Sequence, residues 1–361
     1  MASIESYSLK DGSKRYRVRY RKPDPSSTDK RGFRRKKDAE DFLARLVASL
    51  NDGDYVDPNA GLITVSELGA TWLSSKRTVM KPSSYHSIEV SWRVWVQPQW
   101  GKRRVKTIRR SELQAWIAVL SGERSASIVL RAHGVINGIL RMAKDDGIIR
   151  SNPAEALDLP KKIRKPRQYL DARQVIKLAD ASGNYRALIL VLGLCGLRWG
   201  EATGLTVRDV DFKRRRIHVV RSATRVNGRI QVGTPKSGAS RDVPMPSIVM
   251  DALKDQCKGK KLDDLVFTDS DGGYVRQQSV GKGHRGWFRK ALEDTELPMM
   301  TPHDLRHSAA SIAVHNGANV KVLQRMLGHA SAAMTLDRYS DLFDDDLDEV
   351  ATALDKDLAR I

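Results

Sequence analysis

The sequence is short of cysteine: Cys195 and Cys257 are the only two in 361 residues. Two cysteines cannot build the disulfide framework of a small secreted domain, and these two lie at none of the spacings typical of zinc sites. The longest apolar run, residues 187–197, is too short to cross a bilayer, and the first residues do not have the pattern of a signal peptide. We therefore expect a reducing, cytoplasmic location, no membrane association, and no metal or other cofactor.

Acidic residues are scarce relative to basic ones. The chain has 63 Lys and Arg residues against 43 Asp and Glu, which gives a net charge of +20. Such an excess favours a polyanionic partner, nucleic acid first. Hydrophobic residues make up 40% of the chain, enough for folded cores, which disfavours a low-complexity coating protein. The length predicts two or three domains.

The predicted fold class is multidomain and mainly α, with small β elements. Residues 1–60 are interpreted as a small α+β module, because Tyr16 and Val18 alternate with arginines at the period of a strand. Residues 65–158 carry apolar residues at helical spacing and predict an all-helical domain. After a basic, proline-containing linker, residues 169–361 predict a mixed α+β domain with an acidic C-terminal tail.

Basic side chains crowd four segments, which we interpret as candidate DNA contacts because cations of this density suit a phosphate backbone or a groove. A solvated basic hairpin near the N-terminus and a merely flexible hinge in the linker stay open as alternatives. The candidates are Arg15, Arg17, Arg19 and Arg21 in the strand, Arg34, Arg35, Lys36 and Lys37 after it, Lys102, Arg103 and Arg104 between helices, and Lys161, Lys162, Arg164, Lys165 and Arg167 in the linker.

The densest group of candidate functional residues lies in residues 301–342. Thr301 followed by Pro302 predicts the start of a helix. His303 and Arg306 would then lie on one helix face and could bind one anion together. The alternatives to a functional site are that the histidine and the arginine only form a polar helix face and that the tyrosine near the C-terminus only packs against the core. The candidates in this stretch are His303, Arg306, His307, His329 and Tyr339.

Two upstream segments add three candidates. Arg198 follows a run that predicts a buried helix, so it needs an anionic partner if it is buried; Glu201, three residues on, can share its face. The alternative is that Arg198 pairs only with nearby carboxylates of the protein. Lys236 lies at the tip of a loop after a predicted hairpin with Asn227-Gly228 at its turn, where a lysine is by default solvated.

Together these segments resemble the sequence boxes of the tyrosine recombinases, the family of phage integrases. HDLRHSAAS, LGHAS and the T-x-x-x-Y that ends at Tyr339 resemble the second box, and GLCGLRWGEATGL resembles the first. TPKSGASRDVP resembles the hairpin that carries the catalytic lysine of the family. The resemblance implies an arm-site DNA-binding module at 1–60, a core-binding domain at 65–158 and a catalytic domain at 169–361.

The resemblance also implies roles for the site residues. Tyr339 would attack a DNA phosphate bound by Arg198 and Arg306, leaving a 3′-phosphotyrosine and a free 5′-hydroxyl. The remaining implied roles are proton transfer by His303, protonation of the leaving oxygen by Lys236, a phosphate hydrogen bond from His329, orientation of Arg198 by Glu201, and support by His307.

The implied partner is double-stranded DNA with core-type and arm-type sites, on which four protomers assemble. A host DNA-bending protein and an excision factor are expected as accessories. Neither metal nor ATP is expected, because the covalent intermediate conserves the energy of the broken bond. The implied function is integration and excision of phage DNA at attachment sites. A Xer-like resolvase, a transposon integrase of the same chemistry and a non-catalytic DNA-binding regulator stay open as alternatives.

Overall fold

The computed structural model describes residues 2–21, 26–51, 60–162, 168–235, 238–281 and 283–339, together with Asp355, Leu358 and Ala359. The predicted acidic stretch at 341–349 lies outside this part of the chain. The chain divides into two compact units, Met1–Arg164 and Lys165–Ile361. The candidate residues outside the described part are Arg164, Lys165, Arg167 and Lys236.

The first unit opens with a three-stranded antiparallel sheet in the order β1-β2-β3. Val18 and Tyr20 are buried with Ala39 and Leu46 of the following helix, which places the arginines of the central strand on the other face of the sheet. The sequence pattern indicates the central strand and the helix but not the first strand, which has no clear apolar alternation. The elements are β1 (Ser3–Ser8), β2 (Lys14–Arg21), β3 (Ser27–Phe33) and α1 (Lys36–Asn51).

The rest of the first unit is helical. Trp72, Trp92 and Trp100 are buried in its hydrophobic core, so these aromatic side chains serve packing. Helix α2 extends to Val79, although its last turns carry few apolar residues from which a helical period could be read. The helices are α2 (Val65–Val79), α3 (Pro82–Ser91), α4 (Gln97–Trp100), α5 (Arg110–Glu123) and α6 (Ala126–Asp145), with a π-helical segment Trp92–Val96 and 3-10 turns Ala60–Leu62 and Val105–Thr107.

The second unit is built around a helix whose residues from Ala187 to Gly193 are all buried, which explains the apolar run of the sequence. The helices of this unit are α7 (Ala172–Asp180), α8 (Arg186–Leu194), α9 (Trp199–Thr203), α10 (Ser247–Cys257), α11 (Trp287–Asp294), α12 (Asp304–His315), α13 (Val320–Leu327) and α14 (Ala332–Tyr339), with 3-10 turns Gly183–Tyr185 and Val207–Asp209. The strands are β4 (Val210–Asp211), β5 (Arg216–Val219), β6 (Ser222–Val226), β7 (Arg229–Gly233) and β8 (Arg241–Pro244).

These strands form two small sheets, an antiparallel β4-β5-β8 sheet and the β6-β7 hairpin. Asn227 and Gly228 both have positive φ, 50° and 77°, which confirms the predicted hairpin turn. Helix α11 begins only at Trp287, because closely spaced glycines precede it.

The mainly helical architecture with small sheets confirms the predicted fold class. Within the described ranges, no helix combines the length and the apolar character that a membrane span requires.

Candidate active site

A tight turn before α12 positions the HDLRH segment. The N–H and the hydroxyl of Thr301 both donate to Oδ2 of Asp304, each at 2.7 Å. Because this carboxylate closes a turn over residues 301–304, the helix begins at Asp304 and not at Pro302 as predicted, and His303 becomes the residue before its first turn. His303 is exposed, whereas Arg306 on the same helix is buried.

Arg306 is held in the protein interior, where only 1% of its surface is exposed. Its Nη1 donates to the carbonyl of Gly196 at 2.6 Å, and its Nη2 donates to the carbonyl of Leu327. Gly196 has a φ of +68°, and a Cβ there would lie 2.9 Å from Leu327 Cδ2, so glycine lets α8 end against α13. Burial, and next the charges of Arg198 and Arg241, lower the pKa of Arg306 to about 9.

Arg198 is fixed by the helix that it precedes. Its backbone N–H donates to Oε2 of Glu201 at 2.9 Å, and its Nη1 donates to Oε1 of the same carboxylate at 2.8 Å. A longer contact of 3.4 Å joins its Nη2 to the carbonyl of Gly328. The expected contact between Arg198 and Glu201 is therefore present. About a fifth of the Arg198 side chain stays exposed, so its guanidinium remains reachable from solvent.

A second arginine, Arg241 of β8, holds the same carboxylate and was not among the sequence candidates. Its Nη1 and Nη2 donate to Oε1 and Oε2 of Glu201 at 3.1 and 2.7 Å. The sequence does hold a signal for it: strand alternation puts Arg241 on the same side as Val243 and Met245, which are both buried. An arginine on the inward side of a strand needs a buried acceptor.

The electrostatics of this cluster favour the binding of an anion. Burial alone would raise the pKa of Glu201, but hydrogen bonds and charge from Arg241, together with Arg198, lower it to about 2. The carboxylate is therefore ionised at neutral pH. It faces three guanidinium groups, those of Arg198, Arg241 and Arg306. Guanidinium groups in such excess suit a phosphate, whose oxygens accept their paired N–H donors.

The hydroxyl of Tyr339 lies beside this cationic cluster. Tyr339 is fully buried in a small core with Ala310 and Leu323. Its hydroxyl lies 2.8 Å from Nδ1 of His307, and its charge when ionised would raise the pKa of Arg306. We expected His307 only to support the site; the structure puts it in direct contact with the tyrosine hydroxyl.

His329 covers the ring of Tyr339 from another side. The two rings are nearly parallel, at 10°, with centroids 6.2 Å apart. Nδ1 of His329 lies 3.0 Å from the hydroxyl of Thr335, which links the LGHAS segment to the threonine of T-x-x-x-Y. His303 lies one step further out, its ring edge-on to that of His307 with centroids 5.2 Å apart.

The structure thus gathers most of the predicted site residues. Arg198 pairs with Glu201, and Tyr339 contacts His307 and His329. Arg306 interacts through its charge with Arg198, Glu201 and Tyr339, and His303 lies at the edge of this group. Lys236 lies outside the described residues. In the sequence it falls between β7 and β8, the strand of Arg241.

The candidate DNA contacts that the structure describes are mostly exposed, although some face carboxylates of the protein itself. Arg17 pairs with Glu5 at 2.6 Å, and Arg103 pairs with Glu112 at 3.0 Å. Arg19 is exposed on the arginine face of the first sheet. Exposed ion pairs contribute little to stability. These arginines can therefore leave their carboxylate partners and bind a polyanion with little loss of stability.

Comparisons with known proteins identify a family for most of the second unit. Residues 168–345 match the model of the phage integrase family. The transposase from transposon Tn916 of Enterococcus faecalis is 27% identical over 334 residues, which cover 82% of this chain and 78% of that protein. These findings confirm the resemblance drawn from the sequence boxes.

Two solved structures share the fold. An integrase of transposon Tn1549, in complex with transposon right end DNA, matches with a TM-score of 0.68 at 23% identity over 80% of this chain and 100% of that chain. A lambda integrase tetramer bound to a Holliday junction matches with a TM-score of 0.60 at 17% identity over 91% of this chain and 96% of that chain. Residues 168–345 are therefore a domain of the phage integrase family, the tyrosine recombinases.

Proposed function

We propose that this protein is a site-specific recombinase that integrates and excises phage DNA at attachment sites, using Tyr339 as its nucleophile. Membership of the tyrosine recombinases makes it a DNA-cleaving and rejoining recombinase. The observation that carries the finer proposal is the tyrosine hydroxyl held against His307, beside buried guanidinium groups that outnumber their carboxylate partner.

Arg198 and Arg306 bind the scissile phosphate. In the transition state of phosphoryl transfer, charge spreads over the non-bridging oxygens, and planar guanidiniums aimed at those oxygens stabilise it. The oxygen of Tyr339 attacks phosphorus, the bond from phosphorus to the 5′-oxygen breaks, and a 3′-phosphotyrosine forms. His329, which already lies over the tyrosine ring, donates a hydrogen bond to the same phosphate.

Proton transfer runs through His307 of α12 and His303, the residue that precedes this helix. A phenol has an unperturbed pKa of about 10, so its ionisation at neutral pH needs an acceptor and nearby cations. His307, at 2.8 Å, accepts or relays the proton of Tyr339, and His303 passes it on towards solvent. Lys236 acts as the general acid that protonates the departing 5′-oxygen.

The contacts of Tyr339 support cleavage by each protomer of the phosphate bound in its own site. The tyrosine is buried among residues of its own chain, next to the histidine and the arginine that serve it. The phosphotyrosine conserves the energy of the broken phosphodiester, so the reverse reaction rejoins DNA without metal or ATP. One site cuts one strand, and exchange between two duplexes therefore requires four protomers on DNA, the assembly seen for lambda integrase.

The exposed cations of the first unit extend this contact with DNA. We propose that the sheet of residues 1–60 binds arm-type sites through its arginine face, and that residues 65–158 and the basic linker clamp the core site. A host DNA-bending protein and an excision factor complete the reaction, in the cytoplasm of the host.

A second candidate has its own support. The likeness to the Tn916 transposase over most of the chain favours movement of a transposon by the same chemistry. A Xer-like resolvase fits less well, because the N-terminal sheet would have no role in it, and a non-catalytic regulator would not need the gathered site. Cleavage of phage attachment-site DNA and not of transposon-end DNA distinguishes the first two.

The test is a suicide DNA substrate whose cleaved strand loses the nucleotides needed for religation. Wild-type protein should accumulate as a covalent complex, Tyr339→Phe should bind the same DNA without linkage, and Tyr274→Phe serves as the matched control elsewhere in the same unit. Equal trapping of wild type and Tyr339→Phe would show that another residue is the nucleophile and would overturn the proposal.

A further inference from the structure

We propose that Arg241 is a positioning residue of the recombination site, which fixes Arg198 through Glu201 and fixes the turn that carries His329. This inference rests on the proposed function, because it assigns Arg241 to the same cleavage step. Arg241 does not touch the reacting atoms in this account; it acts through the residues that do.

Arg241 and Arg198 share the carboxylate of Glu201. Glu201 has no exposed surface, so both of its oxygens must find their partners inside the protein. Arg241 donates to both oxygens, at 3.1 and 2.7 Å, while Arg198 donates from its Nη1 to one of them at 2.8 Å. The backbone N–H of Arg198 also donates to Oε2 at 2.9 Å. Without Arg241, the carboxylate would keep only its contacts with Arg198 and would lose the two hydrogen bonds that fix it from β8, so the Arg198 guanidinium would be held less precisely.

A second set of contacts joins Arg241 to the segment that carries His329. Its Nε donates to the carbonyl of Met326 at 2.9 Å, at the end of α13. Gly328, which closes that helix with a φ of +63°, lies so close that a Cβ there would meet Arg241 Cδ at 2.8 Å. The next residue is His329. One side chain therefore ties the segment of Arg198 to the segment of His329.

The guanidinium of Arg241 donates to protein acceptors from all three of its nitrogens, which commits this side chain to holding Glu201 and the end of α13. Nε, Nη1 and Nη2 all donate to protein acceptors, and only 8% of the side chain is exposed. Arg198, by contrast, makes a single strong side-chain contact and stays more exposed. Arg241 also lies on β8, the strand that follows Lys236 in the sequence.

The experiment measures single-turnover formation of the covalent complex at saturating suicide substrate, for full-length wild type, Arg241→Met, Glu201→Gln and the double variant. Misplacement of a catalytic group by about 1 Å can cost about 10²-fold in rate, so we expect a loss of about that size in each single variant, with binding of the core site unchanged. Since both act through one contact, the double variant should lose no more than either single variant.

A pH profile adds a readout that a purely structural role would not move. Glu201 faces Arg198 from its own helix, Arg241 from β8 and Arg306 from α12. Removing the fork of Arg241 removes the largest influence that keeps this carboxylate ionised. The cleavage rate of Arg241→Met should therefore fall on acidification from a higher pH than that of wild type, and the shift should vanish when Glu201→Gln is added.

Arg221 supplies the matched control, because it pairs with a different buried carboxylate, with 3.2 Å between its Nη1 and Asp209 Oδ2. Arg221→Met should leave the rate per folded molecule unchanged. If Arg241→Met does not fold, Arg241→Lys is judged by the same rate and additivity criteria.

Three outcomes would overturn the inference. The Arg241 variants could cleave at the wild-type rate, their losses could add to that of Glu201→Gln, or they could bind DNA more weakly while the cleavage rate stays unchanged. A wild-type protein that forms no covalent complex would instead contradict the proposed function itself.

Discussion

The arginines of β2 and those of the candidate active site carry the same charge in opposite surroundings. Arg17 lies on an exposed sheet face and pairs at 2.6 Å with Glu5, a carboxylate that is itself about two-fifths exposed. Arg306 is buried and has only part of one buried carboxylate to balance it. Salt screens the first kind of charge within about 10 Å at 0.1 M, but it screens the second far less. The sheet face therefore suits salt-dependent binding along DNA, and the site suits one phosphate.

Replacing Arg306 should have the largest effect. A lysine keeps the charge but loses the planar pair of donors, so Arg306→Lys should lower the single-turnover cleavage rate by about 10³-fold, with little change in the affinity for core DNA. Arg186→Lys, which alters an exposed pair with Asp180 at 2.7 Å, should cleave at the wild-type rate. A loss below about 10-fold in Arg306→Lys would remove the contrast between buried and exposed cations.

The ionised state of Glu201 should appear as a dependence of stability on pH. The pKa of Glu201 is about 2 in the folded protein, whereas the ordinary pKa of a glutamate side chain is 4.5. A depressed pKa stabilises the fold above the unfolded value and loses that stabilisation as pH falls towards 2. The difference corresponds to about 3 kcal/mol.

Urea unfolding between about pH 6 and pH 3 measures this effect. Wild type should lose free energy of unfolding as pH falls, and Glu201→Gln should be less stable at pH 6 but lose less on acidification. Parallel curves for the two proteins would show that the buried carboxylate does not carry the effect.

The exposed arginines should give the smallest effect, and it should appear in salt dependence. Arg19→Ala should reduce the slope of log affinity against log salt for arm-site DNA by about one, with the core-site cleavage rate unchanged. Arg45→Ala removes the same charge from α1, on the other side of the sheet, and should leave the slope unchanged. Equal slopes for the two variants would mean that the arginine face does not contact DNA.

The sequence predicts the site residues better than it predicts their contacts. The positions of Arg198 and Arg306 follow from the sequence boxes, and the turn at Asn227-Gly228 follows from local backbone preference. The helix start was misplaced because the Asp304 carboxylate, which closes the turn, binds two donors of Thr301. Local signals cannot rank such a turn against the N-cap preference of Thr301-Pro302.

Long-range contacts could not be predicted for the same reason. Arg241 meets Glu201 only because β8 pairs with β5 and packs on α13, and nothing near Arg241 in the sequence names its partner. The contact of His307 with Tyr339 spans 32 residues. It depends on how α14 folds back onto α12, which residue spacing alone does not determine.

The most direct measurement is mass spectrometry of the peptide that stays linked to DNA after cleavage of a suicide substrate. We predict a single peptide that carries Tyr339 bonded to a 3′-phosphate, and we predict no linked peptide from Tyr339→Phe. A different linked residue, or a bond to a 5′-phosphate, would contradict the assignment of Tyr339 as the nucleophile in this cationic site.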